Sequence, residues 1–129
     1  MNVNYLYHVC SQSDWLNSPP NQYRQKGAFT HLSTAEELDQ SIRLHLAQQT
    51  KLILLCIDPH QIGVNLKWED VPSRSISMPH LYGALPHQGI YWALCLPDDP
   101  DQSGSRCPPL SELKHKHPPL SSRFPLFKL

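Results

Sequence analysis

Residues 28–57 have the sequence AFTHLSTAEELDQSIRLHLAQQTKLILLCI, and this stretch decides the fold. Its opening residues, 28–32, predict a short strand. A helix start follows directly, because a hydroxyl and a carboxylate at this spacing can bind the free backbone N–H groups of a first turn. Two pairs have the spacing of such a capping box: Ser33 with Glu36, and Thr34 with Glu37.

The helix and the strand that follow differ in their apolar patterns. Leu38, Ile42 and Leu46 recur every four residues, which predicts an amphipathic helix that buries one face and ends near residues 48–49. Residues 51–57 are apolar after the first residue, which predicts a central strand buried on both faces.

Shorter signals extend this pattern in both directions. Residues 3–10 predict a first strand with Leu6, His8 and Cys10 on one face, followed by a short helix that carries Trp15. Further strands are predicted at residues 28–32, 64–68 and 89–96, with loops at residues 17–27 and 71–78, and the three tryptophans are expected in the core. Strands around one main helix predict an α+β domain with a compact sheet, since a doubly wound fold needs more helices.

The chain divides into a domain and a tail. Its 129 residues suit one domain, which we place at residues 1–97, and the recurring prolines that follow predict a Pro-rich basic tail at residues 98–129. Beyond residue 105 there are five basic residues and one acid, so residues 106–129 carry +4 and residues 1–105 carry −4. Such a tail is expected to dock on its own domain, or to bind a protein partner or RNA through residues 106–129.

Other features narrow the class of protein. The chain has no basic-then-apolar leader, and its longest apolar run, residues 52–57, is far shorter than the roughly 20 residues of a membrane helix. We therefore expect a cytoplasmic protein with no membrane contact. None of the four cysteines forms a CxxC pair, and His115 and His117 lack a third ligand, so no metal site is expected.

Polar residues inside apolar segments mark the candidate site. Burying such groups costs free energy unless they are hydrogen-bonded, so each needs a partner or a ligand. His8 and His31 have two interpretations, a core histidine bonded to the protein or a ligand contact. Ser33 and Thr34 suit helix capping as well as anion binding, and Glu69 suits a surface ion pair as well as catalysis.

The order of these segments resembles one bacterial family of unknown function over about residues 3–97. That family is grouped with ADP-ribosyltransferases and is distantly similar to RNA 2′-phosphotransferases. The segments that carry the resemblance are Tyr5–His8, Trp15, Phe29–Thr34, Leu54–Pro59, Trp68–Glu69 and Pro79–Gly83.

The resemblance implies an ADP-ribosyltransferase-like fold and a site for NAD or an ADP-ribosyl or phosphoribosyl ligand. His8 would hold a ribose, His31 would line the same cleft, and Glu69 would be the catalytic acid. Val9 and Cys10 stand where the superfamily has Gly and Thr. The remaining implied binding residues are Tyr7, Phe29, Ser33, Thr34, His80 and Tyr82.

Two other functions fit the same residues. One is a non-catalytic protein-interaction module that uses the cleft and the basic tail. The other is an RNA-directed phosphotransferase-like enzyme, with the tail as a phosphate tether.

Overall fold

The computed structural model describes residues 5–19, 21–23, 27–100, 102 and 104–107. Short 3₁₀ turns occupy residues 59–61, 63–65 and 87–89. The helices and strands of this part of the chain are β1 (Leu6–Ser11), α1 (Gln12–Leu16), β2 (Gln22–Tyr23), β3 (Thr30–His31), α2 (Ala35–His45), β4 (Leu52–Ile57), β5 (Leu66–Val71), β6 (Ile76–Leu81), β7 (Leu85–Pro86) and β8 (Ile90–Cys95).

The strands form three small antiparallel sheets. The first sheet has the order β1-β4-β8, the second has the order β3-β6-β5, and β2 pairs with β7. The α+β class with one main helix is confirmed, whereas the expectation of one compact sheet is corrected. The sheets remain separate because the segment that joins the first two, residues 30–33, is too short to pair fully with both.

The predicted central strand is confirmed. All six residues of β4 are buried, and the strand lies between β1 and β8. One face of this sheet packs on α2 through Leu38 and Ile42. The opposite face carries Leu6 and Cys10, as the alternation of β1 predicts. It packs into a second group of buried apolar side chains, separate from the group around α2. Both faces of β4 are therefore covered, which explains its unbroken apolar run.

Helix α2 begins without the predicted capping box. Thr34 is the N-cap residue but makes no side-chain cap bond, and the helix ends at His45 rather than at residues 48–49. The candidate capping groups have other partners: the Ser33 hydroxyl donates to Ser41 at 3.2 Å, and Glu37 pairs with Arg74. The spacing identified the helix start correctly, but tertiary contacts recruit its side chains.

Two predictions about the second sheet are wrong. Residues 71–78 are not one loop, because β6 begins at Ile76 and the turn covers only the residues between β5 and β6. Trp68 is 54% exposed rather than buried, because β5 is an edge strand and Trp68 is on its open face. Trp15 and Trp92 are buried, as expected.

The start of the predicted tail packs on the domain. Arg106 is buried and donates from Nη1 to the Leu46 carbonyl at 3.1 Å and from Nε to the Pro97 carbonyl at 2.9 Å. Residues 108–129, which hold most of the predicted docking segment, lie outside the described residues. In the part of the chain that the structure describes, no helix has both the length and the apolar character to cross a membrane.

Candidate functional site

A cleft opens where β1 and residues 30–33 separate. Tyr7 and Ser33 exchange two backbone hydrogen bonds, of 2.8 and 2.7 Å, and Leu32 then donates to the Pro79 carbonyl at 3.0 Å. The chain thus leaves the first sheet for the second, and the gap beside β1 has a volume of about 580 Å³. Helix α2 forms one wall, and the β5–β6 turn with the end of β6 forms the other.

The free edge of β1 supplies backbone groups to this cleft. In an antiparallel pair, successive residues direct their N–H and C=O groups alternately toward and away from the neighbouring strand. Tyr7 directs its groups away from β4, to Ser33, so Val9 also directs its N–H and C=O away from β4. Val9 lines the cleft, so a donor and an acceptor lie side by side on its floor.

His8 is held on both sides by the protein. Its Nδ1 lies 2.6 Å from the His31 carbonyl and therefore donates to it, and its Nε2 lies 3.1 Å from the Tyr23 hydroxyl and accepts from it. Burial lowers the pKa of His8 to about 4, so the ring is neutral near pH 7. A ligand that binds the Nε2 atom of His8 has to displace Tyr23.

Glu69, His80 and Tyr82 form a hydrogen-bonded group beside the cleft. One carboxylate oxygen of Glu69 accepts from His80 Nδ1 at 3.0 Å and from the Tyr82 hydroxyl at 2.5 Å. The hydrogen bond from Tyr82, followed by the one from His80, lowers the pKa of Glu69, and the same carboxylate raises the pKa of Tyr82. Because Nδ1 of His80 is held by Glu69, Nε2 is the ring nitrogen left for a ligand, as in a histidine oriented by a carboxylate.

Aromatic rings surround His80. Phe29 stacks on it with ring centroids 4.1 Å apart, and Phe29 meets the edge of His31 at 4.7 Å. His31 in turn contacts His80 edge to face at 5.1 Å, and Tyr82 lies 5.3 Å from Phe29. Burial, followed by the charge of His80, lowers the pKa of His31. These four rings therefore form an aromatic group beside the cleft.

Comparison with known proteins gives a family without an assigned activity. Residues 9–93 match the profile of a family described as protein of unknown function (DUF952). The chain belongs to this family. No curated protein matches it.

Solved structures similar to this DUF952 domain come from Caulobacter crescentus. The crystal structure of protein CC0527 is 24% identical, with a TM-score of 0.70, and the match covers 86% of this chain and 98% of that one. The solution structure of CC0527 gives a TM-score of 0.65 over 79% and 90% of the two chains, at 24% identity. At this identity the likeness establishes a shared fold.

The DUF952 cleft brings together some of the residues that the sequence singled out. His8, His31, Ser33 and His80 line it. Phe29 and Glu69 contact His80 from beside the cleft, so Glu69 reaches the cleft through His80. Tyr82 contacts Glu69 and Phe29. Tyr7 is buried and pairs with Ser33, and Thr34 is the N-cap residue of α2.

Sequence reasoning missed three residues of this site in the DUF952 domain. Tyr23, the partner of His8, is in a segment predicted as a loop, and two-residue strands such as β2 have no periodic signal. Ser41 and Arg74 line the cleft and bond to each other at 2.8 Å. Arg74 is in a turn whose contact with α2 cannot be inferred from local sequence. Among the described residues, no group of three or more His, Cys, Asp or Glu side chains is placed to hold a metal ion.

Proposed function

We propose that the cleft binds a nucleotide-like ligand that carries an ADP-ribosyl or phosphoribosyl group. NAD is one ligand of this class. The observation that carries this proposal is the separation of β1 from residues 30–33, which gathers backbone groups, imidazoles and hydroxyls around one space. Its volume, about 580 Å³, is within the range of small-molecule sites. The resemblance to ADP-ribosyltransferases supports the same ligand class.

The donors and acceptors of the cleft fit the parts of such a ligand. The N–H and C=O groups of Val9 match a carboxamide or a base edge, which presents one acceptor and one donor. The rings of His31 and Phe29 suit contact with a planar base. The Nε2 atom of His80 and the hydroxyl of Ser33 suit ribose hydroxyls.

For a transfer reaction, we propose that His80 is the base and that Glu69 is its positioning residue. The nicotinamide would leave with the electrons of its bond to the ribose, and an acceptor hydroxyl or water would attack the same carbon. The proton of that acceptor would pass to Nε2 of His80, while Glu69 stabilises the resulting imidazolium. Glu69 would thus orient the imidazole of His80 and would not contact the sugar directly.

The second candidate is a binding module without turnover. The observation that favours it is that both ring nitrogens of His8 are occupied within the protein, so His8 is not free to position a ribose. A module of this kind would bind the nucleotide, or a partner that carries one, and would release no nicotinamide from NAD.

Calorimetric titration with NAD, ADP-ribose and nicotinamide tests the proposal. We expect binding of at least ADP-ribose, weakened about tenfold in His31→Ala, since one lost contact of about 1.4 kcal/mol changes affinity by that factor. The matched control is His60→Ala, which removes an exposed histidine outside the cleft and should leave the affinity unchanged. Failure of all three ligands to bind the folded protein would overturn the proposal. Release of nicotinamide from NAD would separate an enzyme from a binding module.

A further inference from the structure

Arg74 joins the two walls of the cleft. It is in the turn between β5 and β6, and its guanidinium reaches α2, where Nη1 donates to the Ser41 hydroxyl at 2.8 Å. Its Nη2 donates to the Glu37 carboxylate at 2.7 Å. The Arg74 side chain is only 8% exposed, although it lines the cleft.

The guanidinium of Arg74 is only partly satisfied. It has five N–H donors, and its buried Nε–H has no hydrogen-bond partner among the described residues. A buried donor without a partner costs free energy, so its presence beside a cleft needs an explanation. An anionic ligand that accepts from this edge of the guanidinium supplies one, because phosphate accepts paired hydrogen bonds from arginine.

We propose that Arg74 binds a phosphate group of the ligand, and that Glu37 occupies Arg74 until that phosphate replaces it. This inference rests on the proposed function and narrows its ligand to phosphorylated or pyrophosphorylated molecules. The Ser41 hydroxyl accepts from this guanidinium and lies 3.2 Å from the Ser33 hydroxyl, so both hydroxyls can donate to the same phosphate.

Glu37 is suited to leave. Its side chain is 30% exposed, against 8% for Arg74, so the carboxylate can turn to water while the guanidinium stays in place. Near an incoming phosphate the two anions repel each other, which favours this exchange. Asp70, which also lines the cleft, adds a second negative charge that the phosphate has to tolerate.

This competition predicts opposite effects for the two partners of one ion pair. Glu37→Gln removes the internal anion and should strengthen binding of a phosphorylated ligand. Arg74→Gln removes the cation and should weaken it. If the pair were only a structural link between the turn and α2, both variants would lower stability and neither would raise affinity.

The experiment titrates inorganic pyrophosphate and ADP-ribose into the full chain and three variants. We expect about tenfold weaker binding of both probes by Arg74→Gln and several-fold tighter binding by Glu37→Gln, about 1 kcal/mol as an affinity ratio. The control is Arg43→Gln, which breaks an exposed ion pair with Asp39 on the same helix and should change neither affinity. Thermal unfolding of each variant verifies that it is folded.

The outcomes separate this inference from the proposed function. If pyrophosphate binds in a manner that requires Arg74 while NAD and ADP-ribose do not bind, the phosphate site stands and the nucleotide proposal fails. If ADP-ribose binds and Glu37→Gln leaves its affinity unchanged, the phosphate role of Arg74 is overturned, even where Arg74→Gln does not fold. No binding of pyrophosphate to the folded wild-type chain also overturns it.

Discussion

At the scale of single residues, His8 combines two interpretations that the sequence left open. Its ring lines the cleft, yet both of its nitrogens are bonded within the protein, to His31 and Tyr23. The bond to the His31 carbonyl fixes the segment that carries the exposed His31 ring. His8 is therefore placed to shape the site through the backbone of its neighbour.

The buried state of His8 predicts a pH dependence of stability. Its pKa is lowered to about 4, so between pH 6.5 and 4 the unfolded chain binds a proton that the native His8 does not. The contribution of the neutral His8 ring to the free energy of unfolding is fully present above about pH 6.5. It decreases as the pH falls through this window, by about 1.4 kcal/mol per pH unit at most. His8→Gln removes this contribution, so its cost should be about 2 kcal/mol larger at pH 7 than at pH 5.

Urea denaturation of both proteins at the two pH values measures this difference. The difference isolates His8, because His31 and His87, whose pKa values are also lowered by burial, are present in both chains. His60→Gln is the control for the loss of an exposed histidine. An equal cost for His8→Gln at pH 7 and pH 5 would contradict the buried neutral ring.

The sequence identifies His8 as a polar residue in an apolar strand, but not Arg74 as part of the site. The alternation of β1 is local, and it places His8 on a face with Leu6 and Cys10. The contacts of Arg74 lie 33 and 37 residues away along the chain. Local patterns cannot show such contacts, because they depend on how the β5–β6 turn lies against α2.

At the scale of elements, apolar periodicity predicted some strands and not others. β4 is unbroken and apolar, and it is the buried centre of its sheet. β6 was missed in part because it contains Pro79, and proline argues against a middle strand. Pro79 faces Leu32, just beyond the end of β3, and its carbonyl accepts a hydrogen bond there. β2 and β7 have two residues each, too few for any period.

The end of α2 provides a prediction at this scale. Arg106 binds the Leu46 carbonyl at the C-cap of α2, where a cation also interacts favourably with the helix dipole. Arg106→Ala would leave the Leu46 and Pro97 carbonyls without this donor, and we expect a loss of about 2 kcal/mol in the free energy of unfolding.

The matched variant is Arg43→Ala, which removes an exposed ion pair with Asp39 on the same helix. We expect it to cost less than about 0.5 kcal/mol, since exposed pairs at this spacing contribute little. Urea denaturation measures both. Equal costs for the two variants would contradict a stabilising role of the Arg106 hydrogen bonds beyond that of an exposed ion pair.

At the scale of the whole molecule, the cleft and the basic tail separate the proposed functions. Every described residue that lines the cleft lies in the stretch from His8 to His80. The excess of positive charge, in contrast, lies beyond residue 105, where the chain has five basic residues and one acidic residue. A small-molecule function depends on the first part alone, whereas an RNA-directed function uses both.

Deletion of residues 108–129 should therefore leave the affinity for ADP-ribose unchanged, because it retains Arg106 and every cleft residue that the structure describes. Calorimetry on the full and shortened chains measures this.

A titration of single-stranded RNA at increasing salt provides the second arm. An RNA-directed enzyme would bind RNA with an affinity that falls steeply with salt, by about 0.7 in slope for each phosphate contacted, and deletion would flatten that slope. Loss of ADP-ribose binding in the shortened chain would contradict a self-contained cleft, and a flattened RNA slope would favour the RNA-directed function over the small-molecule one.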